Sequence, residues 1–202
     1  MAILNDYMKE RQITSANADG QIRLLYECAF PEEERIPWDD LMTLVGEMSL
    51  DFTAYYDDVE QTEQDPAFLD LEESRRNTAE GRFIGFTIIY PRKAFNWYWY
   101  FAVCEELRGK GYGQQILTKV KEHYKGQTSI FDMESPRQEC DNIVQRRRRH
   151  EFYLRNGFRD TNLYRTYENV EMTIMMIGPG KFTMQDWDDI VCELRQHWTW
   201  DD

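Results

Sequence analysis

Residues 96–125, with the sequence NWYWYFAVCEELRGKGYGQQILTKVKEHYK, decide how this 202-residue chain folds. The first eight of them, residues 96–103, are dense in aromatic and β-branched side chains without a helical period, which predicts a buried strand. From Gln114 onward apolar residues recur at helical spacing, which predicts a helix. A strand, a short connection and a helix are therefore expected in that order.

The connection contains a glycine-rich segment, residues 108–113, which we call the glycine turn. Gly109, Gly111 and Gly113 permit backbone dihedrals that other residues avoid, and they allow the main chain to approach a ligand closely. The start of the helix that follows carries free N–H groups and about half a positive charge. The glycine turn is therefore expected to bind an anion such as a phosphate group.

Two familiar phosphate-binding motifs do not fit the glycine turn. A P-loop requires Gly-x-x-x-x-Gly-Lys followed by Ser or Thr, whereas Gly109-Lys110 is followed by Gly111. A dinucleotide-binding fold requires Gly-x-Gly-x-x-Gly directly after the strand, whereas these glycines alternate and four residues separate the glycine turn from Val103. A flexible connection without a ligand is the other alternative, and the ordered strand, turn and helix argue against it.

The pattern Arg108-x-x-Gly111-x-Gly113, placed after a strand and before a helix, resembles the acetyl-CoA signature of the GNAT superfamily of N-acetyltransferases. A second stretch, FYLRNGF at residues 152–158, is similar to the family's Phe/Leu-Tyr-x-x-x-Gly-Phe at the end of its fourth helix. The resemblance covers most of the chain. It implies a mixed α/β (α+β) fold, the acyl-CoA N-acyltransferase fold, in which helices flank a central mixed sheet.

The resemblance also implies roles for residues by their position in the motifs. In this family the strand before the turn splays from its neighbour, which frees main-chain groups to bind pantetheine and polarise the thioester carbonyl. Tyr153 matches the tyrosine that often protonates the leaving thiolate, with core packing as the alternative. The implied cofactor-binding residues are Phe101, Ala102 and Val103 beside pantetheine, and Arg108, Gly109, Lys110, Gly111, Tyr112 and Gly113 around the pyrophosphate.

A base is needed because a lysine-like amine, with a pKa of about 10.4, is mostly protonated at neutral pH. Glu134, at the end of a predicted strand, is the candidate, acting directly or through water. Glu105 and the acidic residues 32–34 are rivals, since the position of the base varies in this family and ordered waters often serve. The alternative role for Glu134 is an ion pair with a helix arginine.

Four consecutive arginines, residues 146–149, lie in the predicted helix that carries Tyr153. At about 100° per residue, Arg146, Arg149 and His150 fall near the face of Tyr153, whereas Arg147 and Arg148 point away. Many GNAT members have a cofactor-contacting asparagine where this chain has Arg146. Arg146 is therefore expected to bind the cofactor, to bind Glu134, or to lie on a plain charged surface.

The remaining pattern predicts one domain over residues 1–202, with an acidic insertion at about 57–81 and a C-terminal helical extension at about 181–202. The insertion is expected to lie outside the central sheet, with a helix over residues 66–73. Further helices are predicted over 22–29, 38–46, 142–156 and 184–196. Strands are predicted over 7–14, 50–56, 82–90, 96–103, 129–134, 158–167 and 170–177, the second and third being neighbours.

Composition narrows the classes of function. The chain has 24 Lys and Arg against 37 Asp and Glu, a net charge of −13, which argues against nucleic-acid binding. Its four cysteines form no CxxC pair, so they are expected to be reduced packing residues rather than disulfides or a metal site. No apolar run reaches the length of a membrane span and no signal peptide is evident, so a cytoplasmic protein is expected.

The sequence thus predicts an N-acetyltransferase that moves an acetyl group from acetyl-CoA, its co-substrate, to a primary amine. Direct attack in a ternary complex is the expected mechanism, without a metal. A small-molecule or peptide amine is the expected partner, with no nucleic acid or membrane, and a homodimer is left open. A non-catalytic acyl-CoA-binding sensor is the alternative function.

Overall fold

The computed structural model describes residues 8–57, 77–78, 81–167 and 169–198. The chain forms two compact units, the first comprising residues 1–88 and 100–116 and the second residues 89–99 and 117–202. Two strands and one helix begin in one unit and end in the other. Nowhere in the part of the chain that the structure describes is a helix both long and apolar enough to cross a membrane.

The first unit contains two helices and the strands that open the chain. The strand order is β1-β2-β4-β5, with β3 paired to β4, and both β1 with β2 and β3 with β4 are antiparallel. A 3₁₀ turn lies at Glu32–Glu34. The elements are β1 (Met8–Gln12), α1 (Gly20–Ala29), α2 (Trp38–Glu47), β2 (Asp51–Asp57), β3 (Asn77–Thr78), β4 (Gly81–Pro91) and β5 (Asn96–Val103), the last two entering the second unit.

Local sequence explains the helices of this unit. Asp19 caps α1 by accepting hydrogen bonds from the N–H groups of Gln21 and Ile22, at 3.1 and 3.2 Å. On the buried side of α1, the Tyr26 hydroxyl donates to the carbonyl of Ile36 at 3.0 Å. The ring of Tyr26 also lies 6.4 Å from that of Phe86 on β4, so α1 packs on the strands through an aromatic core.

The second unit is a mixed sheet with helices on both faces. The strand order is β5-β6-β8-β7, in which β5 and β6 are parallel and the other pairs are antiparallel. The elements completing the chain are α3 (Tyr112–His123), which starts in the first unit, β6 (Ser129–Glu134), α4 (Ile143–Arg155), β7 (Arg159–Tyr167), β8 (Val170–Ile177) and α5 (Met184–His197).

Alternation along β6 assigns the helices of this unit to opposite faces. Ile130 belongs to a buried cluster with Trp187 of α5, whereas its neighbour Phe131 belongs to a cluster that contacts Tyr153 of α4. Successive side chains of a strand point to opposite faces of a sheet. The mixed sheet with flanking helices confirms the predicted fold class.

Predicted and observed elements agree closely, with small differences at the ends. Helix α3 begins at Tyr112 rather than Gln114. The first turn of a helix makes no intrahelical hydrogen bonds through its N–H groups, so the apolar spacing that starts at Gln114 does not mark the first helical residue. The expected helix over residues 66–73 lies outside the described residues. Within the predicted insertion, Asp57 ends β2, Gly81 begins β4, and Asn77 and Thr78 form β3, which pairs with β4. The expectation that the insertion lies outside the sheet is therefore wrong for these residues.

The cysteines differ from the expected packing role. All four are free, but Cys28 and Cys192 are exposed and only Cys104 and Cys140 are partly buried. The helical spacing that brings Cys28 into α1 does not bring its side chain into the core. Cysteine in this chain is thus not a marker of the buried face.

Candidate functional site

The glycine turn follows β5 through a single turn of 3₁₀ helix, Glu105–Leu107. Two features hold the 3₁₀ turn in place: the Cys104 N–H donates to the carbonyl of Ile84 at 2.8 Å, and the Leu107 side chain is buried. Gly109 and Gly111 have φ values of 75° and 90°, in the left-handed region that favours glycine. The turn therefore has the backbone for which its glycines are required.

The start of α3 presents unpaired backbone donors. The N–H groups of Gln114 and Gln115 both donate to the carbonyl of Gly111 at 3.1 Å, which closes the first helical turn. Within the described residues, the N–H groups of Gly111, Tyr112 and Gly113 donate to no acceptor. The segment from Arg108 to Gly111 is exposed, so these donors lie at a surface where an anion can reach them.

The end of β5 supplies the residues expected beside pantetheine. Ala102 is buried, and Phe101 and Val103 are partly buried. Asn96 and Trp97, at the start of β5, pair in parallel with Ser129 and Ile130 of β6. The splay that the resemblance implies near residues 101–103 stays a prediction.

Arg108 and Lys110 are exposed side chains of the turn. The Arg108 Nε donates to the carbonyl of Val103 at 3.3 Å, which ties the turn to the end of the strand. Arg108 and Val103, two of the predicted cofactor-binding residues, are therefore in direct contact within the first unit.

Tyr112 contacts a residue that the sequence did not single out. Its hydroxyl donates a hydrogen bond to the carboxylate of Asp57, the buried last residue of β2. Burial, followed by the hydrogen bond and charge of Asp57, raises the pKa of Tyr112 to about 12, against an opposing effect of Arg82. Asp57 is 55 positions away in the sequence, and no local pattern signals this contact.

Tyr153 lies on α4 among aromatic rings of the second unit. Its ring centroid lies 4.2 Å from that of Phe131 and 5.7 Å from that of Phe158. Burial raises the pKa of the Tyr153 hydroxyl, and the positive charge of Arg149 opposes this effect. The hydroxyl is therefore protonated at neutral pH and able to donate a proton.

Glu134 is engaged by the arginines of α4. Its two carboxylate oxygens lie 2.8 Å from Nη2 of Arg146 and 3.0 Å from Nη1 of Arg149. Asn142 Nδ2 donates to Glu134 at 3.4 Å, and Arg146 also donates to Gln138 at 3.3 Å. The predicted alternative, an ion pair between Glu134 and a helix arginine, is confirmed, and the role of Glu134 as a base stays a prediction.

The arginine run divides as its helical spacing predicted. Arg146 is buried with 6% of its surface exposed, whereas the side chain of Arg147 is 56% exposed. Of the three roles considered for Arg146, binding of Glu134 is the one observed. Burying this guanidinium is favourable only because a carboxylate and an amide accept its hydrogen bonds.

The rival bases lie in the first unit. Glu105 is exposed at the start of the 3₁₀ turn that precedes the glycine turn. The Tyr100 hydroxyl donates to the main-chain carbonyl of Glu34 at 2.9 Å, which anchors the acidic segment Glu32–Glu34 to β5.

Comparison with known protein families finds a match. Residues 73–160 match the family described as Acetyltransferase (GNAT) domain, a span that includes both sequence motifs. No curated protein gives a significant match to the chain.

Solved structures with the same fold are more numerous. A GNAT-family protein from Bacteroides thetaiotaomicron is 21% identical with a TM-score of 0.64, the match covering 93% of this chain and 96% of that one. The PaiA N-acetyltransferase of Thermoplasma acidophilum, in complex with coenzyme A, is 14% identical with a TM-score of 0.54, at coverages of 85% and 99%.

NAA60 of Arabidopsis thaliana, solved with a bisubstrate analogue, is 13% identical with a TM-score of 0.55, at coverages of 84% and 97%. At these identities the likeness concerns the fold, while the family match covers residues 73–160, the span that holds β5, the glycine turn and α4. Residues 73–160 of this chain are therefore similar to a GNAT acetyltransferase domain.

Proposed function

We propose that this protein is an acetyl-CoA-dependent N-acetyltransferase that acetylates a primary amine of a small molecule or peptide by direct attack in a ternary complex. The observation that carries the proposal is the exposed glycine turn, whose free N–H groups open α3 within the matched domain. A cytoplasmic location, with no nucleic-acid or membrane partner, forms part of the same proposal.

The residues of the glycine turn fit the pyrophosphate of acetyl-CoA. An anion there would accept hydrogen bonds from the N–H groups of Gly111, Tyr112 and Gly113 and gain from the dipole of α3. A Cβ added to Gly109 or Gly111 would meet no atom within 4 Å, so the surface beside these residues is open. Main-chain groups of residues 101–103 would hold the pantetheine arm.

The reaction requires the amine to lose a proton before it attacks. For a lysine-like amine at pH 7, this deprotonation costs roughly 4 to 5 kcal/mol. Glu134 is the proposed acceptor, directly or through water, and its contacts with Arg146 and Arg149 compete with that role. Substitution of Glu134 and of its rival Glu105 by glutamine would separate these assignments by the loss of turnover.

After deprotonation, the amine nitrogen forms a bond to the acetyl carbonyl carbon and produces a tetrahedral oxyanion. A main-chain N–H near the end of β5 would stabilise the oxyanion. The carbon–sulfur bond then breaks, and Tyr153 would donate its proton to the departing CoA thiolate. The nitrogen loses its second proton as the amide forms, and this proton would restore the Tyr153 hydroxyl. The raised pKa of Tyr153 keeps the hydroxyl protonated at neutral pH, and it also makes the hydroxyl a weaker acid toward the thiolate.

Release of free CoA thiol tests the proposal. The protein is mixed with acetyl-CoA and with small amines and peptide amines in separate reactions, and the free thiol is measured with and without amine. Amine-dependent release is expected from at least one class. Binding of acetyl-CoA without thiol release from any amine would favour the alternative, a non-catalytic acyl-CoA-binding sensor.

A further inference from the structure

We propose that Asp57 is a positioning residue for the glycine turn: by accepting the hydrogen bond of Tyr112, it holds the start of α3 in the conformation that binds acyl-CoA pyrophosphate. This inference rests on the proposed function, because it concerns the same cofactor site. It assigns the fixed conformation of that site to a residue outside the glycine turn. Asp57, Tyr112 and the glycine turn all belong to the first unit.

Asp57 is firmly held in the sheet. It is the last residue of β2, pairs with Met8 of β1, and exposes 7% of its surface. A buried carboxylate needs a hydrogen-bond donor or a positive charge nearby. The Tyr112 hydroxyl supplies the donor.

Tyr112 connects the firmly held Asp57 to the glycine turn. It is the first residue of α3 and lies between Gly111 and Gly113, two residues with no side chain of their own to anchor them. Glycine loses more conformational freedom on ordering than any other residue. A side-chain anchor between the two glycines therefore reduces the entropy that cofactor binding would otherwise lose.

The chemistry of the pair favours a permanent contact rather than a switch. Because the pKa of Tyr112 is raised to about 12, its hydroxyl remains a donor throughout the physiological pH range. Arg82, at the start of β4, lowers the pKa of Tyr112, whereas Asp57 raises it. Since a bare negative charge beside the turn would oppose an anionic ligand, the useful property of Asp57 is its acceptor oxygen.

Calorimetric titration with acetyl-CoA tests the inference on four variants. Tyr112→Phe and Asp57→Ala should each weaken binding roughly 10- to 150-fold, the range expected for losing one hydrogen bond to a charged group. Their double variant should lose little more than either single variant, because both remove the same contact. Asp57→Asn should stay within about threefold of wild type, because its amide oxygen still accepts the bond.

A second ligand and a matched control separate positioning from general damage. Acetylpantetheine lacks the pyrophosphate, so its binding should be the same in wild type and Tyr112→Phe. In steady state, Tyr112→Phe should raise the KM for acetyl-CoA far more than it lowers kcat. Tyr55→Phe removes another buried hydroxyl contact of the first unit, to Thr87 at 3.1 Å, and should leave acetyl-CoA affinity unchanged.

The outcomes distinguish the two proposals. Wild-type protein that binds acetyl-CoA alongside an equally tight Tyr112→Phe would overturn the positioning role and leave the proposed function standing. Equal weakening by Tyr55→Phe would also overturn it. A wild-type protein that binds no acetyl-CoA would contradict the proposed function itself. Tyr112→Phe carries the test even where Asp57→Ala fails to fold.

Discussion

Two glycine-rich connections in this chain look alike in sequence and differ in what surrounds them. The glycine turn, residues 108–113, precedes α3, and a second connection, Gly178-Pro179-Gly180, follows β8; we call the latter the GPG turn. A Cβ added to Gly111 would meet no atom within 4 Å, whereas one added to Gly178 would lie 2.2 Å from the carbonyl oxygen of Gln127.

The difference separates a glycine that leaves a surface open from one that lets two backbones touch. In the GPG turn, the guanidinium of Arg159 donates to the carbonyls of Gly178 and Gly180, at 2.9 and 3.1 Å. The N–H of Gly180 donates to Thr128 Oγ1 at 2.9 Å. Protein groups thus bind both glycine carbonyls and the Gly180 N–H of the GPG turn, whereas the glycine turn keeps unpaired N–H donors among the residues that the structure describes.

The largest effect is expected at the GPG turn. Gly178→Ala should destabilise the protein by about 3 kcal/mol or more, because its Cβ would overlap backbone atoms and its φ of 99° disfavours alanine. Chemical denaturation provides the measurement. Gly126→Ala is the control: with a φ of 79° and open space around its Cβ, it should cost only about 1 kcal/mol.

Equal destabilisation by Gly178→Ala and Gly126→Ala would remove the distinction between packed and open glycines. It would mean that only the left-handed backbone, which both share, sets the cost.

Sequence pattern accounts for the elements of the fold better than for the contacts within the site. The bounds of β5 and β6 match their predictions, because aromatic and β-branched runs mark buried strands. The glycine turn could be predicted because its residues are contiguous.

The contact from Tyr112 to Asp57 could not be predicted, since it depends on the tertiary placement of β2. The acidic residues that follow Asp57 in the sequence place it at the start of the predicted insertion. For Glu134 and Arg146 the sequence left several roles open, and burial in the folded chain selects their ion pair. Spacing along a helix gives a face, whereas partners on that face require the fold.

Tyr153→Phe sharpens the comparison by separating chemistry from cofactor binding. Turnover should fall about 10- to 100-fold with little change in acetyl-CoA affinity, because the hydroxyl is needed when thiolate charge develops. The phenylalanine ring keeps its packing on Phe131, so the free energy of unfolding should change little. Steady-state kinetics gives the turnover, and the KM for acetyl-CoA reports on its binding. Tyr124→Phe, a buried tyrosine of the same unit, is the control, and unaltered turnover in Tyr153→Phe would make Tyr153 a packing residue.

The smallest effect on stability is expected at an ion pair of α5, the helix that follows the GPG turn. Arg92 forms an ion pair with Glu193 of α5, and the Tyr90 hydroxyl donates to the same carboxylate at 3.1 Å. The hydrogen bond from Arg92 lowers the pKa of Glu193 below its usual range. Because the Glu193 side chain is 38% exposed, Glu193→Gln should cost less than about 1 kcal/mol near pH 7.

The sign of the pH dependence follows from this lowered pKa. The stabilisation is complete above the unfolded-state pKa of about 4.3 and is lost as the pH falls through the lower folded-state pKa. Unfolding of wild type and Glu193→Gln should therefore differ at pH 7 and converge as the pH falls below the folded-state pKa of Glu193. A difference that persists unchanged to low pH would show that packing, rather than charge, holds α5 there.

Calorimetric titration of acetyl-CoA into Gly111→Asp tests most directly the claim that the glycine turn holds this ligand. Gly126→Asp introduces the same carboxylate at a similarly open, positive-φ glycine outside the turn, with φ values of 79° and 90° at the two positions. Gly111→Asp should bind at least ~100-fold more weakly than wild type, because its carboxylate repels the pyrophosphate, whereas Gly126→Asp should bind as wild type does. A folded Gly111→Asp with wild-type affinity would contradict the assignment of the cofactor site.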